Sequence, residues 1–282
     1  MKFFLKLTLI TALLMSSTFA DIDKVKDKFA SSLENFLEGH FENTDFSIKK
    51  IETIKPELSI QTFKPLRDNE DSISFFQGSL FLHDSSRETI NLGLGKRFFS
   101  EDDSMLFGIN AFYDYEHDYS HQRFSIGTEI KSSILDLNYN LYIAESGSKV
   151  GKDNKNEEAT DGYDLELGAH VPYIPSATFY TKAFDFEVSG GNDFQGLEYS
   201  TELKIPNSGL TIELGHTDYD NHNDVSFLNI KFSSGKINPG TKFITSEPYQ
   251  KISMKDKKYD KVRRDNIIKK KGAAFTVKAG GF

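Results

Sequence analysis

The sequence predicts an all-β fold of twelve antiparallel strands closed into a barrel, and three observations carry that reading. From residue 43 onward apolar and polar side chains alternate with a period of two, the spacing of a half-buried strand. The alternating segments run about ten residues, the length a tilted strand needs to cross a bilayer. Their connections alternate as well, tight turns on one side and a long polar loop on the other. The period by itself fits a soluble sandwich equally well, because both folds bury one face of each strand. The uneven connections favour lipid.

Taken in order, the first twenty residues, MKFFLKLTLITALLMSSTFA, have two lysines, a short apolar run and a small residue at the end. That pattern is a secretory signal at 1–20, too short to span a membrane as a helix. Val25, Phe29, Leu33, Phe36 and Leu37 then recur at helical spacing before Gly39, which predicts a periplasmic helical segment at 21–41. Strands are expected near 43–52, 57–66, 72–83, 89–99, 105–117, 122–132, 134–145, 162–172, 177–187, 196–205, 210–219 and 224–233, forming a barrel over 42–234. The turns DNED, SEDD, Ser132-Ser133, VPYIPS and PNSG are tight, whereas SGSKVGKDNKNEEATD at 146–161 is long and polar. With a periplasmic N-terminus, twelve strands place the tight turns in the periplasm and the long loop outside the cell. Residues 235–282 form a basic tail.

Composition removes several classes of function. The 282-residue chain has no cysteine, so disulfides and thiolate chemistry are absent. A net charge of −8 disfavours nucleic acid as a partner. Asp114, Glu116, His117, Asp118 and His121 crowd into YDYEHDYSH, but cysteine is absent and no other histidine is near in sequence, so no metal site is expected. His83-Asp84-Ser85-Ser86 is the nearest approach to a hydrolytic cluster, but neighbours on a turn point apart. No phosphate loop, nucleophile elbow or zincin motif occurs, so no catalytic residue, cofactor or metal is expected.

In order and spacing, NLGLGKRFF, MLFGINAFYDYEHD, RFSIGTEI and DGYDLELGAHVPYIPS resemble the β-domain of inverse autotransporters, the intimin and invasin group. SSLENFLEGHFENTDFSI and KKYDKVRRDNIIKKK resemble the flanking segments of that family. The resemblance implies a twelve-stranded outer-membrane barrel of a Gram-negative bacterium, with a periplasmic N-terminus and a helix and linker in the pore. It also implies a solvated strand end and loop at YDYEHDYSH. It implies an anchor or translocator for an exported passenger; a stand-alone porin-like channel is the alternative. The expected partners are outer-membrane lipid and the barrel-assembly machinery, with any passenger or host-surface ligand unknown. The chain stops eleven residues past Lys271, so the passenger is expected to be absent or very short.

In such a barrel the outward face is apolar and the inward face polar. Phe124, Ile126 and Ile130 then face lipid opposite Arg123, Ser125, Glu129 and Lys131, while the strands at 72–83 and 177–187 carry aromatics on both faces. Charge should be tolerated at inward Ser125 or Asn138 but not at outward Ile126 or Leu137. The inward set includes nine acids, Asp114, Glu116, Glu129, Asp136, Asp164, Glu166, Glu198, Glu202 and Glu213. Five bases, Arg97, Arg123, Lys131, Lys204 and Lys231, face them. Residues 249–271 carry ten bases against three acids. The expectation is a basic plug (Lys257, Lys258, Lys261, Arg263, Arg264) in an acidic lumen, with a helix over Tyr259–Arg264 and an extended exit strand over Asn266–Lys271.

Overall fold

The chain divides into two units, Met1–Glu42 and Asn43–Phe282, and all that follows concerns the second. A computed structural model describes residues 43–52, 56–84, 87–151, 154–188, 192–234 and 242–271. The expected signal segment and N-terminal helix lie outside the described residues.

Twelve strands form one closed antiparallel barrel. They are β1 (Thr44–Ile51), β2 (Glu57–Asp68), β3 (Ser72–His83), β4 (Arg87–Phe99), β5 (Met105–Glu116), β6 (His121–Ser132), β7 (Leu135–Ala144), β10 (Gly162–His170), β11 (Ala177–Phe186), β12 (Phe194–Lys204), β13 (Leu210–Tyr219) and β14 (Val225–Ser234). Each pairs with its neighbours in sequence, and β1 closes the ring on β14 from Thr44↔Ser234 to Ile51↔Phe227. At the seam the Thr44 amide donates to Ser234 Oγ at 3.2 Å, and that hydroxyl donates back to the Thr44 carbonyl at 3.0 Å. Closure removes the free edges that could not persist in hydrocarbon. Among the described residues no helix is long and apolar enough to cross a membrane.

The two faces separate as their chemistry requires. Leu92, Leu94, Ile109, Ile126, Leu137, Leu141 and Leu165 are exposed on the outer wall, while Asn91, Asp114, Arg123, Asn138 and Asp164 are buried inside. On the ambiguous β3 and β11, Ile73, Phe75 and Gln77, and Tyr180, Phe184 and Phe186, are buried. These inward aromatics have partners within the barrel. Phe63, Ile73, Phe75 and Phe112 form an apolar cluster with Val262 of the tail. Gly93 and Gly95 make room for it, since a Cβ at either would strike the Phe112 or Phe75 ring.

The loop after β7 folds back on itself as two short strands, β8 (Lys149–Val150) and β9 (Asn156–Ala159). Near the chain's end β15 (Lys270–Lys271) adds to them as a third. The tail therefore reaches the long-loop mouth, although β14 ends at the tight-turn mouth.

Candidate functional site in the barrel lumen

The tail first follows the tight-turn rim. The Tyr173 amide donates to the Pro248 carbonyl at 2.8 Å and its carbonyl accepts from Thr245 at 2.9 Å. Tyr173 sits at φ 65°, uncommon for a bulky residue, and both its backbone groups are used by the tail. Next, the Ile252 amide donates to Ser133 Oγ at 3.2 Å, and the Met254 amide to the Asp103 carbonyl at 2.8 Å. Lys258 then pairs with Asp68 at 2.7 Å. These partners are the β10–β11, β6–β7 and β4–β5 turns and the end of β2, met in the order in which they stand around the ring.

Past Lys258 the chain turns into the lumen. The helix expected over Tyr259–Arg264 is not there: the only helical turn of the described tail is a 3-10 turn at Met254–Lys257. Arg263 and Arg264 show the reason. Arg263 reaches Glu166 at 2.6 Å, Glu213 at 3.1 Å and Glu202 at 3.4 Å on one wall. Its neighbour Arg264 forks onto both oxygens of Asp114, at 2.9 and 2.7 Å, across the lumen. Consecutive side chains point to opposite sides in an extended chain, not in a helix.

An extended segment leaves its carbonyls without internal partners, and inward side chains supply them. Arg97 donates to the Lys258 carbonyl at 2.7 Å, Arg123 to those of Asp265 at 2.7 Å and Ile267 at 3.3 Å. Asn140 serves Arg263 at 3.0 Å and Asn91 serves Asn266 at 2.9 Å. The wall acts on the tail much as a neighbouring strand would.

The remaining expected site residues divide clearly. Lys257 meets Asp136 at 3.1 Å and Lys261 meets Asp45 at 3.2 Å. Glu129 is held by wall residue Arg97 at 2.6 Å, and Glu198 by Lys182 at 2.7 Å. Asp164 accepts from Tyr142 at 2.6 Å and Asn140 at 2.7 Å. Ser125 faces inward but already accepts from Arg264 at 2.9 Å, and Asn138 donates to Glu166 at 3.1 Å.

Sequence reasoning missed the cluster at the long-loop mouth. His117 and Asp118 are exposed, but His121 is fully buried, as are Asp114 and Glu116, which stand among the expected inward acids, so the expectation of a solvated strand end and loop there is corrected. Burial follows because the loop folds in and presents Glu157. Arg87 bridges Glu116 and Glu157 at 2.6 Å each, and Lys270 of the tail pairs with Glu116. Atoms of Glu116, His121 and Glu157 lie within 4.8 Å of one another, a spacing compatible with a metal ion. Two cationic side chains already neutralise the carboxylates, so the group works as an ionic clasp joining wall, loop and tail.

Known proteins match the closed barrel. The inverse autotransporter β-domain family matches residues 15–266. The chain belongs to this family. A putative attaching and effacing protein homolog of Escherichia coli K12 is 32% identical over 133 residues, covering 46% of this chain and 42% of that protein. Invasin of Yersinia enterocolitica is 30% identical over 121 residues, covering 42% of this chain and 14% of invasin. The chain thus spans well under half the length of these curated relatives. A solved structure from work on in-meso crystallization of membrane proteins shares the fold, with TM-score 0.69 and 18% identity over 82% of this chain and all of that one. As an inverse autotransporter β-domain, the protein is a Gram-negative outer-membrane β-barrel anchor.

Proposed function

We propose that this β-domain is a translocator whose own C-terminal segment holds the pore shut, and not an enzyme. One observation carries the reading: residues 258–271 run in a single path from the tight-turn mouth, at Asp68, to the long-loop mouth, at Glu158 and Ala159. In this reading the tight turns and the N-terminus are periplasmic and the long loop is extracellular. Residues 1–20 are the signal, 42–234 the barrel and 235–282 the tail, of which 258–271 pass through the lumen. The acids Asp114, Asp136, Glu166, Glu202 and Glu213 and the bases Lys257, Arg263 and Arg264 act as the plug's contacts. Opposite charges in a narrow, partly dewatered pore attract more strongly than on an open surface. Outer-membrane lipid and the barrel-assembly machinery are the proposed partners, together with whatever passenger is joined to the tail.

The porin-like alternative separates in one experiment. The full chain and a version ending at Ser234 are reconstituted in planar bilayers at low salt. The translocator reading expects a near-silent full chain and steady conductance from the shortened one. Equal conductance overturns the plug. A peptide tag appended after Phe282 should be reached by antibody on intact cells; labelling only after permeabilisation overturns the export path.

A further inference from the structure

The rim-following part of the tail carries side chains that nothing described in the protein covers. Ile244 is 74% exposed, Phe243 48% and Tyr249 40%, and Ile252 is exposed beside them. They are ordered by their backbone, through the hydrogen bonds to Tyr173 and Ser133, rather than by burial. A bent segment fixed to a rim while exposing isoleucines and aromatics is suited to an apolar partner.

We propose that residues 242–252 form an interfacial collar that lies in the headgroup region of the leaflet on the tight-turn side. Continuity with the barrel's lipid-facing wall argues for lipid. Ile134 and Leu135 at the β6–β7 turn are 46% and 48% exposed, next to the point where Ile252 is tied to Ser133. Tyr173, 49% exposed, lies beside the collar at the β10–β11 turn. The composition agrees, because tyrosine favours the membrane–water boundary, and exposed Lys242 supplies a cation for lipid phosphates, while Lys251 lies 3.9 Å from Asp102. The collar would extend the aromatic girdle of the wall with a segment that is not part of the wall.

The chain has no tryptophan, so a single introduced indole reports without background. Full-length Tyr249→Trp and Phe243→Trp are reconstituted in phosphatidylcholine vesicles with plain or brominated acyl chains. Leu137→Trp, on the outer wall, shows quenching by inserted barrels, and Val150→Trp in the long loop gives the aqueous baseline. The collar positions should lose at least about half their intensity to bromine placed near the headgroup, and less to bromine near the chain ends. Quenching no greater than at Val150→Trp overturns the proposal. Blue-shifted emission without bromine quenching also overturns it, since that reports protein contact in place of lipid. Loss of quenching at Leu137→Trp would instead remove the membrane-barrel reading itself.

Discussion

The two sides of the lumen are lined by the same residue types and treat charge differently. On the β4–β7 side, Arg97, Asp114 and Arg123 are 0% exposed and Glu129 2%. Across the lumen the acids are buried too, Glu202 at 4%, but the lysines reach further out, the Lys182 side chain being 22% exposed, Lys231 25% and Lys204 44%. The tail accounts for the contrast by lying against the first wall, where its carbonyls accept from Arg97 and Arg123. On the second side most pairs form within the wall, such as Lys182–Glu198 at 2.7 Å, and Arg263 reaches over from the tail. Desolvated charges persist where several hydrogen bonds replace water, while the hydrated side needs only pairing.

The contrast predicts unequal costs for equal chemistry. Arg264→Ala removes the fork on Asp114 inside the dry side and should cost about 3–5 kcal/mol. Lys182→Ala, where both partners keep some access to water, should cost less. Both are read from the midpoint of heat-induced mobility loss on SDS gels, calibrated by urea unfolding in detergent. Similar values for the two would end the comparison.

A second test sets outer wall against hydrated lumen. Leu137→Lys, in the apolar band, should cost about 2–4 kcal/mol. Ser125 and Asn138 are poor inward controls because Arg264 and Glu166 already occupy them. Ser47 is better, since its partner is the uncharged Ser59 hydroxyl at 2.7 Å and it stands opposite Lys231 in the β1–β14 pairing. Ser47→Glu there should change stability by about 1 kcal/mol or less. A large loss would mean that side is as dry as the other.

The smallest expected effect is at the β4–β5 turn. Ser104 and Ser100 donate to Asp102 and hold its carboxyl down at about 2. Because the folded value lies below the ordinary 3.8, the contribution is complete above about pH 4 and is lost as pH falls through about 2. Ser104→Ala should move the Asp102 titration upward, as followed by carboxyl-carbon NMR. No movement would show that the turn's hydroxyls do not hold the charge.

Much of this arrangement was legible because a strand's period is rigid. Once Phe124, Ile126 and Ile130 face lipid, Arg123, Ser125 and Glu129 must face inward, and neighbouring strands follow by register. Faces with aromatics on both sides, as in β3, could not be assigned that way. Their inward choice depends on Val262, which lies 187 residues beyond Phe75 in the chain. The Glu116–Glu157 clasp was hidden for a similar reason, as it needs the 146–161 loop to fold back over the mouth. The helix expected over Tyr259–Arg264 followed from the helix and linker that the family resemblance implies. It gave way to a wall rich in donors that rewards an extended chain.

The path of the tail also sets how the protein bears mechanical tension. A pull on the chain beyond Lys271 loads the β15–β9 pairing first. The strain next reaches the Arg264 and Arg263 forks, whose acids sit on β5, β10, β12 and β13. Force is thereby divided between β5 and the β10–β13 side of the barrel. What remains travels to the rim, where the chain is wound past successive turns like a rope on a capstan. Each turn takes up part of the load in shear.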